Sequence, residues 1–319
     1  MNKVLVTGAN GFIGGHLCAA LQQQGIYVLA MLRSPSQGAW QSSVIVDLTM
    51  AMPSAADLHG VDTIFHLAGK AHAVAECEQD GAEYDRINSQ ATEGLLQVAA
   101  AAGVRRFVFF SSVKAITDQG SATPLDETSP CAPDSPYGLS KLKAEALVLQ
   151  GGYVPEPVVL RPCMVYGESD KGNLPRMVRM VAKGLMPPLP DFGNQRAMVH
   201  VDDIVQAAIL AAELPQAVNQ IYIVSDGQHY STRYIYEAIC QALGRVPPRW
   251  HVPLWLLHIM ARTGDLLSSA LHRRMPFDSS ALQRLSESAC YSSTKIQQQL
   301  GFTPRRQLGE FLQQWLGKH

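Results

Sequence analysis

A chain of 319 residues, 47% of them apolar, is long enough to bury one large core or two moderate ones. Its 26 Lys and Arg against 27 Asp and Glu leave a net charge of −1, so no chain-wide basic field holds nucleic acid or an acidic membrane surface, and any anionic ligand is gripped locally. Six scattered cysteines (18, 77, 131, 163, 240 and 290), with no C-x-x-C and no metal-like spacing, exclude a disulfide or zinc framework.

The opening residues have the pattern of a strand rather than of a charged segment followed by an apolar run and cleavage site, so a cytoplasmic location is expected. Short apolar, β-branched runs follow at 3–8, 27–32, 43–48, 63–69 and 106–112, as expected of strands covered on both faces. Between several of them lie helical patterns, notably 13–24 and 88–102, the latter stopped by Gly103. Strands alternating with helices predict right-handed crossovers and an α/β doubly wound parallel sheet. A further strand region spans 157–167, after which Pro and Gly become frequent. The expected division is a dinucleotide-binding domain at 1–167 and a smaller α/β substrate domain at 168–319, with 197–214 returning a strand and helix to the first. The late apolar stretch at 252–272 is interrupted by Arg262 and Asp265, which predicts a core or interface helix rather than a membrane span and leaves peripheral association open.

Directly after the first strand, "VLVTGANGFIGGHL" places Gly8, Gly11 and Gly14 at the start of a helix. A tight turn needs the first glycine, a pyrophosphate needs room beside the second, and close helix–strand packing needs the third. The helix N-terminus then presents N–H groups and a positive dipole end to the phosphates. With Thr7 in front, the spacing resembles the T-G-x-x-G-x-x-G of the extended short-chain dehydrogenase/reductase superfamily, which implies a Rossmann fold and a downstream Y-x-x-x-K. "SPYGLSKLKAE" supplies it as Tyr137 and Lys141, one helical turn apart.

The chemistry of that pair follows from charge. A free tyrosine ionises near pH 10, so it serves as a base at neutrality only if a cation stabilises its phenolate, and Lys141 is positioned to do so. Such a tyrosine exchanges a proton with a hydroxyl or carbonyl while hydride passes to or from a nicotinamide. The resemblance makes Ser112, the second serine after the 106–112 run, the hydrogen-bonding partner of the reacting oxygen, with Ser111 as the fallback. It also implies cofactor contacts at Phe12 and Ile13 in the glycine turn, Asp47 and Leu48, Leu67, Ala68 and Gly69, Asn88, Pro162 and Val165. At the end of the second strand stand Arg33 and Ser34 with no acid, which favours NADP over NAD.

For the substrate, the resemblance points to a nucleotide sugar. Arg196 matches an arginine placed on the diphosphate, Asn173 and Leu174 match a segment contacting the nucleotide, and Lys70, His72 and Lys114 are candidate substrate contacts. A second diphosphate arginine has no clear motif; Arg274 and Arg284 are the candidates. Val113 and Lys114 stand where the 4,6-dehydratases carry an Asp-Glu pair, so dehydration is not expected, and "RPCM" lacks the asparagine of the UDP-galactose 4-epimerases. The whole pattern most resembles a bacterial surface-polysaccharide subgroup of UDP-sugar 4-reductases and 4-epimerases. The expected reaction is redox chemistry at carbon 4 of a UDP-hexose, with reduction of a UDP-4-keto-6-deoxy-N-acetylhexosamine ahead of 4-epimerisation. Intact Ser112, Tyr137 and Lys141 argue against a non-catalytic dinucleotide sensor. The resemblance further implies a homodimer through the 88–102 and Tyr137 helices, and from the cysteine spacing no metal is expected.

Overall fold

Backbone whose side chains are apolar on both faces is stable only inside a sheet covered on both sides, and the early strands are of that kind. The computed structural model describes residues 1–70, 80–170, 172–271 and 277–317. The chain runs β1 (Lys3–Thr7), α1 (Phe12–Gln23), β2 (Tyr27–Leu32), β3 (Ser42–Ile45) and β4 (Thr63–His66). Helix α2 (Gly81–Tyr84) continues through a π-helical stretch, Asp85–Gln90, into α3 (Ala91–Ala101), so this helical run begins upstream of the expected position 88. There follow β5 (Arg106–Phe110), β6 (Ser121–Leu125), α4 (Pro136–Gln150), β7 (Glu156–Pro162), β8 (Met164–Tyr166), α5 (Asn173–Ala182), β9 (Arg196–His200) and α6 (Val201–Glu213). The remainder is β10 (Gln220–Val224), β11 (His229–Tyr230), α7 (Thr232–Ala242), α8 (Leu254–Leu271), α9 (Ser279–Ser286), β12 (Ala289–Tyr291), α10 (Thr294–Leu300) and α11 (Leu308–Leu316).

Seven strands form one parallel sheet in the order β10-β7-β5-β4-β1-β2-β3. The order reverses between β1 and β4, which is where a doubly wound sheet opens a crevice at the carboxyl ends of its strands. Alternating residues cover its two faces. Val4, Val6, Val28 and Val108 pack with Leu17 and Leu21 of α1 and Ile204 and Ala208 of α6. Leu5, Leu29, Ile64, Phe107 and Phe109 pack with Leu95 and Leu96 of α3 and Ala144 and Val148 of α4. Arg106, buried on β5, ties α6 to the sheet by donating to the carbonyls of Ala211, Ala212 and Leu214 at its C-terminal end, at 2.7 to 3.0 Å.

A second sheet runs β11-β9-β12-β6, with β8 on β9. Here the structure departs from the expected division. Of the 197–214 segment only α6 lies on the first sheet, whereas β9 pairs with β8, β11 and β12. The strand that completes the first sheet is β10, and β6, within 1–167, crosses to the second. Strands β9 and β10 both carry a buried apolar run, so their composition does not distinguish which sheet each joins. A separate core of Tyr166, Leu174, Met198, Tyr230, Ile239 and Phe311 underlies the second domain.

Candidate active site

The turn from β1 into α1 is built from backbone in contact with backbone. Gly8 has φ +66°, and a Cβ there would sit 3.0 Å from the Ala68 nitrogen; one on Gly14 would sit 2.1 Å from the Gly8 carbonyl oxygen. Gly11 N–H closes the turn on the Gly8 carbonyl at 2.9 Å, and Gly11, as the cap of α1, offers no side-chain acceptor to the helix's first N–H groups. A groove floored by glycine and open helix N–H groups fits a dinucleotide pyrophosphate.

Thr7, next to this turn, orders the opposite wall. Its Oγ1 accepts from Leu67 N–H at 3.0 Å and Ala68 N–H at 2.9 Å, so its proton goes to His66 Nδ1 at 2.8 Å. His66 Nε2–H then donates to Thr92 Oγ1 at 2.9 Å, and Thr92 donates to the Asn88 carbonyl at 2.6 Å. The imidazole is fully buried. Burial first, and the Lys141 charge second, lower its pKa from 6.5 to about 3, so it stays neutral. Asn88 sits in the π-helical stretch, accepts from Lys70 N–H at 2.8 Å and donates to Ser140 Oγ at 3.0 Å. A π-helical stretch of this kind commonly marks a functional position.

Helix α4 starts with Ser135 capping Gly138 N–H at 3.0 Å and Pro136 in the first turn. Asp118 fixes that start by accepting from Ser135 N–H and Oγ. Tyr137 packs edge-on against Tyr84, with ring centroids 6.0 Å apart. Lys141 is 5% exposed; its Nζ donates to the Phe110 carbonyl at 2.9 Å and lies 4.8 Å from the Phe109 ring centroid. Burial lowers its pKa from 10.5 to about 8, partly offset by the charge of Glu145.

Gly138 abuts the Lys114 carbonyl, so the first turn of α4 faces the 112–114 turn. Ser112 is half-buried and caps that turn, accepting from Lys114 N–H at 3.2 Å. Ser111 is buried and donates to Glu145. Of the two serines, Ser112 is therefore the one with a hydroxyl open to a ligand. Glu145 also accepts from Arg161 Nε at 2.9 Å and Nη2 at 2.6 Å, a bidentate pair buried on both sides. Sequence reasoning read Thr7 only as part of the glycine motif and missed His66 and Glu145; the last had a signal, since it lies four residues after Lys141 on the same helical face.

Close contacts join Gly8 to Leu67 and Ala68, and Gly69 to Asn88 and Lys141. Arg33 and Ser34 are exposed just past β2, and the Arg33 charge helps hold the Asp47 carboxyl below its usual range, after two hydrogen bonds from Thr49. Leu48 packs against the second face of the sheet. Phe12 lies against Gly167, Ile13 packs partly buried on the core, and Pro162 and Val165 pair with Val224 and Val199.

Several substrate candidates differ from expectation. Lys70 spends its ammonium on Glu83 at 2.6 Å, and Lys114 on the Asp118 carbonyl at 3.1 Å. Leu174 is buried in the second core, so its side chain packs rather than faces a nucleotide, while Asn173 is exposed beside it at the start of α5. Arg196 donates through Nη2 to the carbonyls of Arg284 and Glu287, and its buried Nε has no partner. Arg284 thus meets Arg196 through its main chain. His72 and Arg274 lie outside the described residues.

Residues 4–225 match the family described as NAD dependent epimerase/dehydratase family. The chain is 30% identical over 273 residues to a UDP-glucose 4-epimerase of Vibrio cholerae, covering 82% of this chain and 81% of that protein. It is 26% identical over 315 residues to a 4-hydroxy-2-methyl-3-oxo-4-farnesyl-3,4-dihydroquinoline-1-oxide ketoreductase of Stigmatella aurantiaca, covering 95% and 92%. Among solved structures, MoeE5 in complex with UDP-glucose and NAD superposes with a TM-score of 0.78 at 27% identity, covering 99% of this chain and 98% of that one.

Proposed function

Because the chain belongs to the NAD dependent epimerase/dehydratase family and is an enzyme of that family, we propose that it performs nicotinamide-dependent redox chemistry at carbon 4 of a UDP-hexose. The observation that carries this reading is the buried Lys141 ammonium, one turn from Tyr137 and anchored at the end of β5, two residues before Ser112. Gly8, Gly11, Gly14, Leu67, Ala68, Gly69 and Asn88 hold the dinucleotide, which supplies the hydride acceptor and donor. Tyr137 takes the proton of the sugar hydroxyl and returns it, its phenolate stabilised by the Lys141 charge. Ser112 donates a hydrogen bond to the same oxygen and so fixes its distance from Tyr137. Arg196, with one buried nitrogen unpaired, holds the diphosphate.

Two outcomes share this machinery. The likeness to the Vibrio cholerae 4-epimerase, and to a structure holding UDP-glucose and NAD, supports 4-epimerisation with retained cofactor. Arg33 at the end of β2, with no acid there, supports the second reading, NADPH-dependent reduction of a UDP-4-keto-6-deoxy-N-acetylhexosamine. We place epimerisation first. Purified protein is incubated with UDP-glucose or UDP-N-acetylglucosamine without added cofactor, and separately with the 4-keto sugar and NADPH. Isomerisation in the first supports epimerase, cofactor oxidation in the second supports reductase, and neither rejects the proposal.

A further inference from the structure

We propose that the outward face of α8 docks on a lipid bilayer carrying anionic headgroups, lying on the membrane without crossing it. Eight of the chain's fourteen exposed large hydrophobic residues, among those described, fall between Val246 and Leu267. Scattered exposed apolar residues are ordinary; a contiguous patch on one element is not. Helix α8 is seated by one narrow face. Leu257 and Ala261 pack with Val252 and Leu282, and Gly264 sits so close to the Phe277 carbonyl that a Cβ there would be 2.0 Å from it. Trp255, Ile259 and Leu266 stack on the opposite face, with Trp255 64% and Leu266 70% exposed. Met260 and Leu267, seven residues apart, widen the same surface, and Trp250 continues it ahead of the helix.

The charges around this face decide between occupants. Arg249 and Arg262 are exposed, whereas Asp265, the one acid between 245 and 268, spends its carboxylate on Ser279 N–H at 3.1 Å and Ser279 Oγ at 2.5 Å. A two-fold pairing of this face with a second copy brings the arginines of both copies into one interface with no free carboxylate between 245 and 268 to pair them. An anionic headgroup layer instead neutralises them while the indoles and aliphatic side chains enter the acyl boundary, as in interfacial helices. No helix among the described residues is long and apolar enough to cross a membrane. The net charge of −1 provides no long-range attraction, so apolar insertion dominates and the cations set the lipid preference. The inference stands independently of the sugar chemistry.

The full chain is floated with phosphatidylcholine vesicles and with vesicles containing phosphatidylglycerol. Binding to the anionic vesicles is expected, reduced by salt. The Trp255→Glu/Leu266→Glu double variant removes side chains that are exposed in the free protein, and is expected to lose tenfold or more of that partitioning, at roughly tenfold per 1.4 kcal/mol. Its circular dichroism and dinucleotide binding should match wild type. Arg249→Glu/Arg262→Glu should abolish the preference for anionic vesicles. No flotation, or flotation unchanged in the Trp255→Glu/Leu266→Glu variant, overturns the proposal. So does light scattering that finds wild type dimeric and this variant monomeric, which assigns the face to a second copy.

Discussion

Lys141 Nζ donates to the main-chain carbonyl of Phe110 at 2.9 Å, so the ammonium on α4 is pinned to the last residue of β5. With the Ser111–Glu145 bond and the contact of Gly138 with the Lys114 carbonyl, it sets the distance between the helix bearing Tyr137 and the turn bearing Ser112. Tyr137→Phe removes the proposed proton carrier and leaves the Lys141 anchor in place. Turnover should fall by about 10² to 10⁴-fold, the usual worth of a positioned acid–base group. Dinucleotide affinity, read by fluorescence titration, should stay within about twofold of wild type. Undiminished turnover would sink the catalytic assignment of Tyr137.

The glycine turn makes a sharper geometric prediction. Gly14→Ala puts a methyl 2.1 Å from the Gly8 carbonyl, a collision only backbone movement relieves, whereas the nearest atom to a Cβ on Gly15 is 3.8 Å away. Gly14→Ala should weaken dinucleotide binding by tenfold or more. Gly15→Ala should be neutral or slightly stabilising, because alanine favours a helix interior. Equal effects in calorimetric titrations of the two variants would show that the cradle does not depend on this packing.

The parallel sheet and the Tyr137 helix were legible because each has a local cause: β-branched runs, glycine spacing, a tyrosine and a lysine one helical turn apart. What was not legible depends on distant partners. Nothing in RAMVH or QIYIV says that β9 joins the second sheet and β10 the first. Leu174 looks the same in sequence whether it faces a ligand or fills a core. The role of His66 appears only when Thr7 and Thr92 close on it from two other elements.

Glu145 and Arg161 are each about 2–3% exposed and bonded to one another twice. Glu145→Gln leaves the guanidinium buried without a counter-charge, which costs on the order of 3–5 kcal/mol. Replacing both by Leu and Met removes the orphaned cation and should recover most of the loss. Urea unfolding of Glu145→Leu, Arg161→Met and the double variant measures the coupling. If the double variant is as unstable as the sum of the singles, the pair is not acting as a unit.

Two buried bases give stability a defined pH dependence. The folded-state pKa of His66 is about 3 against 6.5, and that of Lys141 about 8 against 10.5. In both windows the unfolded chain binds more protons than the folded one, so stability rises with pH. The His66 contribution is therefore lost as pH falls from 6.5 toward 3, while the burial cost of charged Lys141 is relieved as pH climbs from 8 toward 10.5. His66→Gln should flatten the acid slope of the urea midpoint, and Lys141→Met the alkaline one. Slopes identical to wild type in both variants would place the titration elsewhere.

Cofactor choice turns on a single exposed side chain. Arg33 follows β2, its charge reaches Asp47, and no acid stands at the strand end to accept from a ribose hydroxyl. Were NADP bound, that guanidinium would pair with its 2′-phosphate as an exposed ion pair, worth on the order of 1 kcal/mol and weakened by salt. Arg33→Asp should therefore shift the ratio of NADP to NAD affinity toward NAD by roughly tenfold, combining a lost attraction with a new repulsion. Because Arg33 is solvent-exposed, the substitution should leave the unfolding midpoint unchanged. A ratio that does not move in Arg33→Asp would remove the support this residue gives to NADPH-dependent reduction and leave epimerisation with retained NAD as the single reading.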